Sequence, residues 1–336
     1  MTSPSILVVG GAGYIGSHMV KLLLAHGYHV MTLDNLSTGY CDAIIGGEFV
    51  QTDLADRAAL DALFARRTFD AVMHFASFIQ VGESVNAPAK YYVNNVTNTL
   101  NLLDAMLVHG VMRFIFSSSA AVYGNPLLVS ISEDHPKAPI NPYGRTKWMV
   151  EQILEDYDRA YGLKSVSLRY FNAAGADPAC QLGERHEPET HLIPLVLRAA
   201  SGRVPDIKVF GRDYDTPDGT CIRDYVHVVD LCEAHRLALA RLMHDGASAA
   251  YNLGNGNGFS VAEVIAAAER VTTRAIRVTP MPRRAGDPPR LVADATLARN
   301  ELGWQPRFDR LETIIAHAWA WESKLVAISA VVEAGV

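Results

Sequence analysis

The chain has little cysteine, no long apolar run and no excess of basic charge, and each absence removes a class of protein. Its four cysteines, Cys41, Cys180, Cys221 and Cys232, are scattered without CxxC spacing. Neither a disulfide framework nor a zinc site is therefore expected, and free thiols fit a reducing cytosol. No apolar stretch approaches the ~18 residues of a membrane span. Met1-Thr2-Ser3-Pro4 leads straight into Ile6-Leu7-Val8-Val9-Gly10, with no basic region ahead of a separate apolar segment, so no signal peptide is expected. A formal net charge of -6 and a pI near 6.0 argue against a general nucleic-acid binder, which needs a basic face. A few arginines inside one cleft would still suit an anionic ligand.

What is present is the composition of a globular protein: 336 residues, 49% hydrophobic and 20% charged. On a prior of ~150 residues per domain, this is two domains or one doubly wound unit with a second lobe. Strand-like runs at 6–10, 29–34, 49–53, 71–76, 113–119 and 166–172 alternate with helical stretches at 14–26, 57–66, 91–109 and 144–161. The strand runs are almost continuously apolar, as expected when helices cover both faces of a parallel sheet. This rhythm predicts an α/β fold with a doubly wound, Rossmann-type parallel sheet over residues 1–172. The rhythm breaks after Asn172. Loops rich in Gly, Pro, Asp, Glu and Thr at 173–190 and 211–220 separate helices at 192–201, 229–244, 261–270 and 311–322. Residues 173–336 are expected to form a smaller α/β substrate lobe, with 224–244 packing back on the first.

Two helices carry apolar stripes. Val93, Val96, Leu100, Leu103 and Leu107 step by three and four, and Met149, Ile153 and Tyr157 form a second stripe widened by Val150 and Leu154. Periodicity alone fits either a face turned to the sheet or a seam with a second copy of the chain.

Gly10, Gly13 and Gly16 follow the first strand and open the first helix. Glycines there allow a tight turn and close approach of a pyrophosphate to the N–H groups of a helix start. The second strand ends in Asp34, 18 residues beyond Gly16, placed to accept from ribose hydroxyls. No lysine or arginine follows in Asn35-Leu36-Ser37-Thr38-Gly39 to receive a 2′-phosphate, so NAD rather than NADP is expected. Asp53-Leu54 and Phe75-Ala76-Ser77 close the third and fourth strands, along the path of such a dinucleotide.

Pro142-Tyr143-Gly144-Arg145-Thr146-Lys147 holds a YxxxK pair, whose members share a helix face. An ammonium and a positive nicotinamide ring stabilise a phenolate, and bringing a tyrosine from its usual ~10 to near neutrality takes roughly 4 kcal/mol. Such a phenol would accept a hydroxyl proton. Ser117-Ser118-Ser119 ends the fifth strand, where Ser119 can bond the same hydroxyl. Ser119, Tyr143 and Lys147 are the candidate catalytic set.

With these residues in place, the sequence resembles the extended short-chain dehydrogenases/reductases and, within them, the UDP-glucose 4-epimerases. The resemblance rests on GGAGYIGSH (10–18), LDNLSTG (33–39), VGESV (81–85), YYVNNV (91–96), FIFSSSAAVYG (114–124), PYGRTK (142–147), RYFN (169–172), DGTCIRDYVHVVDL (218–231), YNLGNG (251–256) and RRAGDPP (283–289). It implies reversible 4-epimerisation of a UDP-hexose on tightly held NAD, through a 4-keto sugar that swings about its diphosphate. It also implies that Tyr14, Ile15, Asn35, Asn94, Ser117, Lys147 and Phe171 touch the cofactor. Ser119, Tyr143 and Asn172 would face the sugar, Arg223 and Arg284 the diphosphate, Phe210 the uracil, and Leu192 and Asp287 would also touch the substrate. A cytoplasmic homodimer through helices 91–109 and 144–161 is the implied assembly.

There are departures from the family pattern. Ala121 replaces a usual threonine, and Phe78-Ile79-Gln80 stands where some relatives carry a lysine. Leu291 aligns with the position that gates N-acetylated sugars, and its bulk favours UDP-glucose and UDP-galactose. UDP-N-acetylhexosamine or UDP-uronate epimerisation is the enzymatic alternative, and a non-catalytic NAD-sensing protein the alternative of another class. A 4,6-dehydratase would carry an Asp-Glu pair where Ala120 and Ala121 stand.

Overall fold

A computed structural model describes residues 3–284 and 287–333. In chain order the strands are β1 Ser5–Val9, β2 His29–Asp34, β3 Glu48–Gln51, β4 Ala71–His74, β5 Arg113–Ser119, β6 Lys164–Tyr170 and β7 Asn172–Ala174. There follow β8 Ile207–Phe210, β9 Ile222–His227, β10 Ala249–Leu253, β11 Gly258–Ser260, β12 Val278–Met281 and β13 Arg290–Leu291. The helices of the first half are α1 Tyr14–Ala25, α2 Arg57–Arg66, α3 Val81–Asn86, α4 Pro88–Tyr92, α5 Asn98–Val108 and α6 Pro142–Tyr161. Those of the second are α7 Leu192–Ser201, α8 Val228–Asp245, α9 Val261–Thr272, α10 Thr296–Leu302 and α11 Leu311–Glu333. Among the described residues, no helix is long and apolar enough to cross a membrane.

Seven strands form one parallel sheet in the order β10-β6-β5-β4-β1-β2-β3, so the winding reverses between β1 and β4. The apolar run of β1 shows why both faces are covered. Ile6 and Val8 enter one core with Met19 and Leu23 of α1, while Leu7 and Val9 enter the opposite core with Leu60, Phe64 and Leu102. Successive side chains of a strand point to opposite faces, so a strand buried on both must be apolar throughout. The doubly wound Rossmann-type sheet anticipated from the sequence is the observed one.

A third core joins α7, α9 and α11 to β8 through Ile193, Val196, Ile207, Val264 and Ile314. Beside it lie a four-stranded sheet, with β9 between β11 and β13 and also paired to β7, and the pair β12-β8. Helix α8 does pack back: Leu231, Ala238 and Leu242 share the core of Met19 and Leu23. The cut at residue 172 needs one correction. Ala249–Leu253, assigned above to the second lobe, is the seventh strand of the large sheet, parallel to β6 from Ala249↔Val166 to Leu253↔Tyr170. Its five residues carry too little pattern to reveal a partner 83 positions upstream (249 − 166).

The expected helix 91–109 is also different. It begins at Pro88 and contains one π-turn, Val93–Thr97, before α5. Such turns insert an extra residue per turn and recur at functional sites. Here the turn carries Asn94 and Asn95. Helix α6 starts two residues earlier than expected because Asn141 caps it: its side chain accepts from Gly144 N at 2.8 Å, with Pro142 at the first helical position.

Candidate active site

At the carboxyl end of the large sheet, Gly10 has φ +80°, and a Cβ on it would lie 2.6 Å from Ala76 N. A Cβ on Gly16 would lie 2.1 Å from Gly10 O. These two glycines therefore let the turn fold on itself and on the end of β4. Gly13 starts α1 with no side-chain cap and no acidic residue in the first turn, so the positive end of the helix stays available to an anion.

This turn borders a cleft lined by Gly10, Gly13, Asp34, Asn35, Asp53, Leu54, Phe75, Ala76, Ser77 and Asn94. Asp34 accepts from Ala12 N at 2.9 Å and from Leu36 N at 2.8 Å. Burial raises its pKa above the ordinary carboxylate value, and those two N–H bonds oppose the rise. Asn35 donates to Asp53 at 2.7 Å, which joins the ends of β2 and β3. An uncapped helix start, an acidic strand end and a narrow apolar wall fit a dinucleotide. Ser37, Thr38, Thr52, Phe78 and Asn98 also line this cleft and were not anticipated. Seven anticipated cofactor residues do not line it: Tyr14, Ile15, Gly16, Ser117, Tyr143, Lys147 and Phe171. The Tyr14 hydroxyl donates to Gly175 O at 2.7 Å, Ile15 packs into the first core, and Gly16 is closed over by Gly10.

Lys147 is buried on α6, and its ammonium donates to Ser77 Oγ at 2.8 Å and Ser117 O at 2.7 Å. Burial depresses its pKa from 10.5 to about 7, against the opposing pull of Glu151. Tyr143 is also buried. Burial raises its pKa, and a hydrogen bond with Ser119 partly offsets the rise. In the chain without its cofactor, Lys147 does not move the phenol toward neutrality. Its Nζ lies 6.0 Å from the ring centroid and its bonds go elsewhere, so desolvation dominates in the chain by itself. Stabilising the phenolate needs the further positive charge of an oxidised nicotinamide.

Two positioning groups carried no assignment from the sequence. Ser84 accepts from Tyr143 N at 3.2 Å, and Asn95 donates to Thr146 Oγ1 at 3.1 Å and to Phe78 O at 3.0 Å. Both lie inside quoted motifs, VGESV and YYVNNV, which was the available signal.

A second cleft of about 570 Å³ is lined by Asn172, Leu192, Phe210, Arg223, Arg284 and Asp287, among others. Asn172 donates to Asp224 O at 2.8 Å, which leaves its amide oxygen for a ligand. Arg223 is ion-paired with Asp287 and donates to Pro288 O at 2.9 Å. The Arg284 guanidinium sits 3.9 Å from the centre of the Phe210 ring. Ala285 and Gly286 of the RRAGDPP motif lie outside the described residues. Leu291 does not line this cleft. It packs with Phe171 and Trp148 on the small core of Ala120, Val122, Tyr123 and Ile131, in register with Arg223.

A glycine turn at the switch point of a doubly wound sheet, beside a buried tyrosine–lysine pair, defines a dinucleotide-dependent enzyme. Residues 6–254 match the NAD dependent epimerase/dehydratase family, and the chain belongs to it. It is 52% identical to a UDP-glucose 4-epimerase of Rhizobium meliloti over 96% of this chain and 98% of that one. The UDP-glucose 4-epimerase of Brucella ovis, solved with NAD, superposes with a TM-score of 0.92 at 51% identity, covering 94% of this chain and 98% of that one. The enzyme of Bifidobacterium longum, solved with NAD+ and UDP, gives 0.91 at 40% identity, covering 95% and 98%. The cofactor of this protein is NAD.

Lys147 makes the stability of the cofactor-free chain depend on pH. Between about 7 and 10.5 the unfolded chain holds a proton that the folded chain releases. The penalty is therefore full below about pH 7 and fades as pH rises toward 10.5. Cofactor-free protein should gain stability with rising pH in that window, and Lys147→Met should gain less. Urea midpoints of both forms across about pH 7–9.5 check this, and parallel pH profiles would refute it.

Proposed function

We infer that the protein interconverts UDP-galactose and UDP-glucose by 4-epimerisation through a transient 4-keto sugar. The observation that carries this reading is the buried Tyr143, whose pKa Ser119 lowers against burial, one helical turn before the buried Lys147. Near-full-length identity to relatives of that name supports it. Bound NAD supplies reversible hydride acceptance at C4 of the sugar and ends each turnover unchanged. Tyr143 takes the C4 hydroxyl proton and returns it, Ser119 holds the same oxygen, and Lys147 fixes a cation beside the nucleotide cleft through Ser77 and Ser117. NAD occupies the end of the seven-stranded sheet, reached by Gly10, Gly13, Asp34, Asn35, Asp53, Ser77, Asn94 and Phe171. UDP occupies the larger cleft, its diphosphate on Arg223 and Arg284 and its base against Phe210, beside Leu192 and Asp287. Asn172 faces the sugar.

Ala120 and Ala121 cannot transfer protons, which disfavours dehydration. The exposed faces of the helices at 91–109 and 144–161 present Val93, 54% exposed, and Met149, 41% exposed, to solvent. They support a homodimer built on those two helices. The free thiols suit a cytoplasmic setting.

Wild-type protein given UDP-galactose without added NAD is expected to form UDP-glucose. Tyr143→Phe should lose on the order of 10²–10⁴ in kcat while keeping its NAD. Product analysis by nucleotide-sugar chromatography reads both, and turnover that requires external NAD would contradict a tightly held cofactor. Leu291 packs on the small core beside Phe171 and not on the wall of the larger cleft, so Leu291→Cys tests the gate that the family resemblance implies: UDP-N-acetylglucosamine formed from UDP-N-acetylgalactosamine would support it, and unchanged selectivity would remove Leu291 as the gate. Val93→Asp with Met149→Asp should convert a dimer to monomers in sedimentation, and a dimer that persists would place the interface elsewhere.

A further inference from the structure

The segment between β7 and α7 carries four titratable side chains that the reaction does not use. Glu184, His186, Glu189 and His191 fall in one Glu-x-His-x-x-Glu-x-His stretch, and one donor atom of each lies within 4.8 Å of all the others. Nδ1 of His191 is 2.7 Å from Oε1 of Glu184 and 3.3 Å from Oε1 of Glu189. Nδ1 of His186 is 3.2 Å and 3.8 Å from the same two oxygens. Four ligands placed tetrahedrally at the ~2.0–2.1 Å of zinc–nitrogen and zinc–oxygen bonds stand about 3.3–3.4 Å apart. The four measured separations bracket that edge.

The orientation of the groups favours an ion over hydrogen bonds. Both Nδ1 atoms and Oε2 of Glu189 are buried without a hydrogen-bond partner. The side chains of Glu184 and Glu189 are only 6% and 1% exposed. Oε1 of Glu189 also accepts from two backbone N–H groups, Thr190 N at 2.8 Å and His191 N at 2.9 Å, as carboxylates that ligate metals are commonly hydrogen-bonded. His191 is 40% exposed on its side chain and leaves an entry path.

We propose that Glu184, His186, Glu189 and His191 bind one divalent cation, zinc by the chemistry of the ligand set. Two imidazoles and two carboxylates are a ligand set that suits that ion, and its charge neutralises the two carboxylates. The ion is structural. It ties down a segment whose Thr190 and His191 line the 570 Å³ cleft. The same segment touches three other elements: Trp321 Nε1 donates to Glu184 O at 3.2 Å, Arg198 to His186 O at 3.1 Å, and Tyr14 of the glycine turn meets the His186 ring edge-on at 6.4 Å. Metal here would set the wall of the substrate cleft relative to the cofactor turn, whichever sugar the cleft accepts. A sequence search centred on cysteine misses such a site.

The competing state replaces the ion by two protons. Burial disfavours charged imidazoles, but the two carboxylates outweigh it and hold His186 near 9 and His191 near 10. Full-length protein should be stripped with a chelator, loaded with zinc alone, desalted and analysed for metal by elemental mass spectrometry. Wild type is expected to retain about one zinc per chain, and His186→Ala with His191→Ala none. Zinc should raise the Tm of wild type and leave that of the variant unchanged. Cobalt in its place should give the visible bands of a four-coordinate site in wild type only. Glu184→Gln and His186→Gln, close in shape to the native side chains, serve in the same way if the double variant fails to fold by circular dichroism. Stripped wild type that takes up no zinc would overturn the proposal, as would equal uptake in wild type and folded variants, which would mark an adventitious ion only.

Discussion

The catalytic end of the sheet depends on one buried ion pair, Glu151 with Arg169. Arg169 reaches Glu151 through two nitrogens, the closer at 2.5 Å, and neither side chain is more than 6% exposed. Glu151 stands one turn after Lys147 on α6 and accepts from Ser118 Oγ at 2.5 Å, beside Ser119. On the other side, Arg169 donates to the Tyr123 hydroxyl at 3.0 Å, which donates to Asn252 Oδ1 of β10 at 2.7 Å. Asn252 in turn donates to Ile131 O at 2.8 Å. One charge pair thus fixes α6, β5, β6, β10 and the turn after Ser119. A pair of this kind adds little net stability, yet leaves an uncompensated charge worth ~3–5 kcal/mol if one partner is lost. Its effect is on placement. Glu151 is also the group that opposes the desolvation of Lys147.

The two clefts prepare for charge in different ways. The cofactor cleft offers dipoles: N–H groups at the start of α1, with Lys147 behind them at a depressed pKa. The larger cleft offers guanidinium groups already engaged, Arg223 by Asp287 and Arg284 by the face of Phe210. A diphosphate entering there exchanges with a carboxylate for Arg223, so the arginine is ordered before the ligand comes. The cost is competition with Asp287.

What the sequence made legible was what local pattern controls. Ile6–Val9 read as a doubly buried strand because alternate residues enter two cores, and the positions of Gly10, Asp34 and Tyr143 in the fold were readable because strand ends and a helix start place them. Long-range partners were illegible. Nothing in Ala249–Leu253 announces β6, and nothing in Glu184–His191 says that four side chains converge. The helix at 91–109 hid a π-turn because its apolar spacing tolerates one. Electrostatics was illegible for a related reason: spacing places Tyr143 and Lys147 on one helix face, whereas the burial that raises the one pKa and lowers the other belongs to the whole fold.

The late seventh strand also bears on how the chain is made. Tyr170 ends β6, and Ala249, which begins its neighbour, comes 79 residues later (249 − 170). At ribosomal rates of about 5–20 residues per second, that interval is roughly 4–16 s. Throughout it, the hydrogen-bonding groups along β6 form an open sheet edge, the kind of surface that recruits strands from other chains. Helix α8 precedes β10 and docks on the same core, so the newborn chain shields the face of that edge before it closes the edge itself.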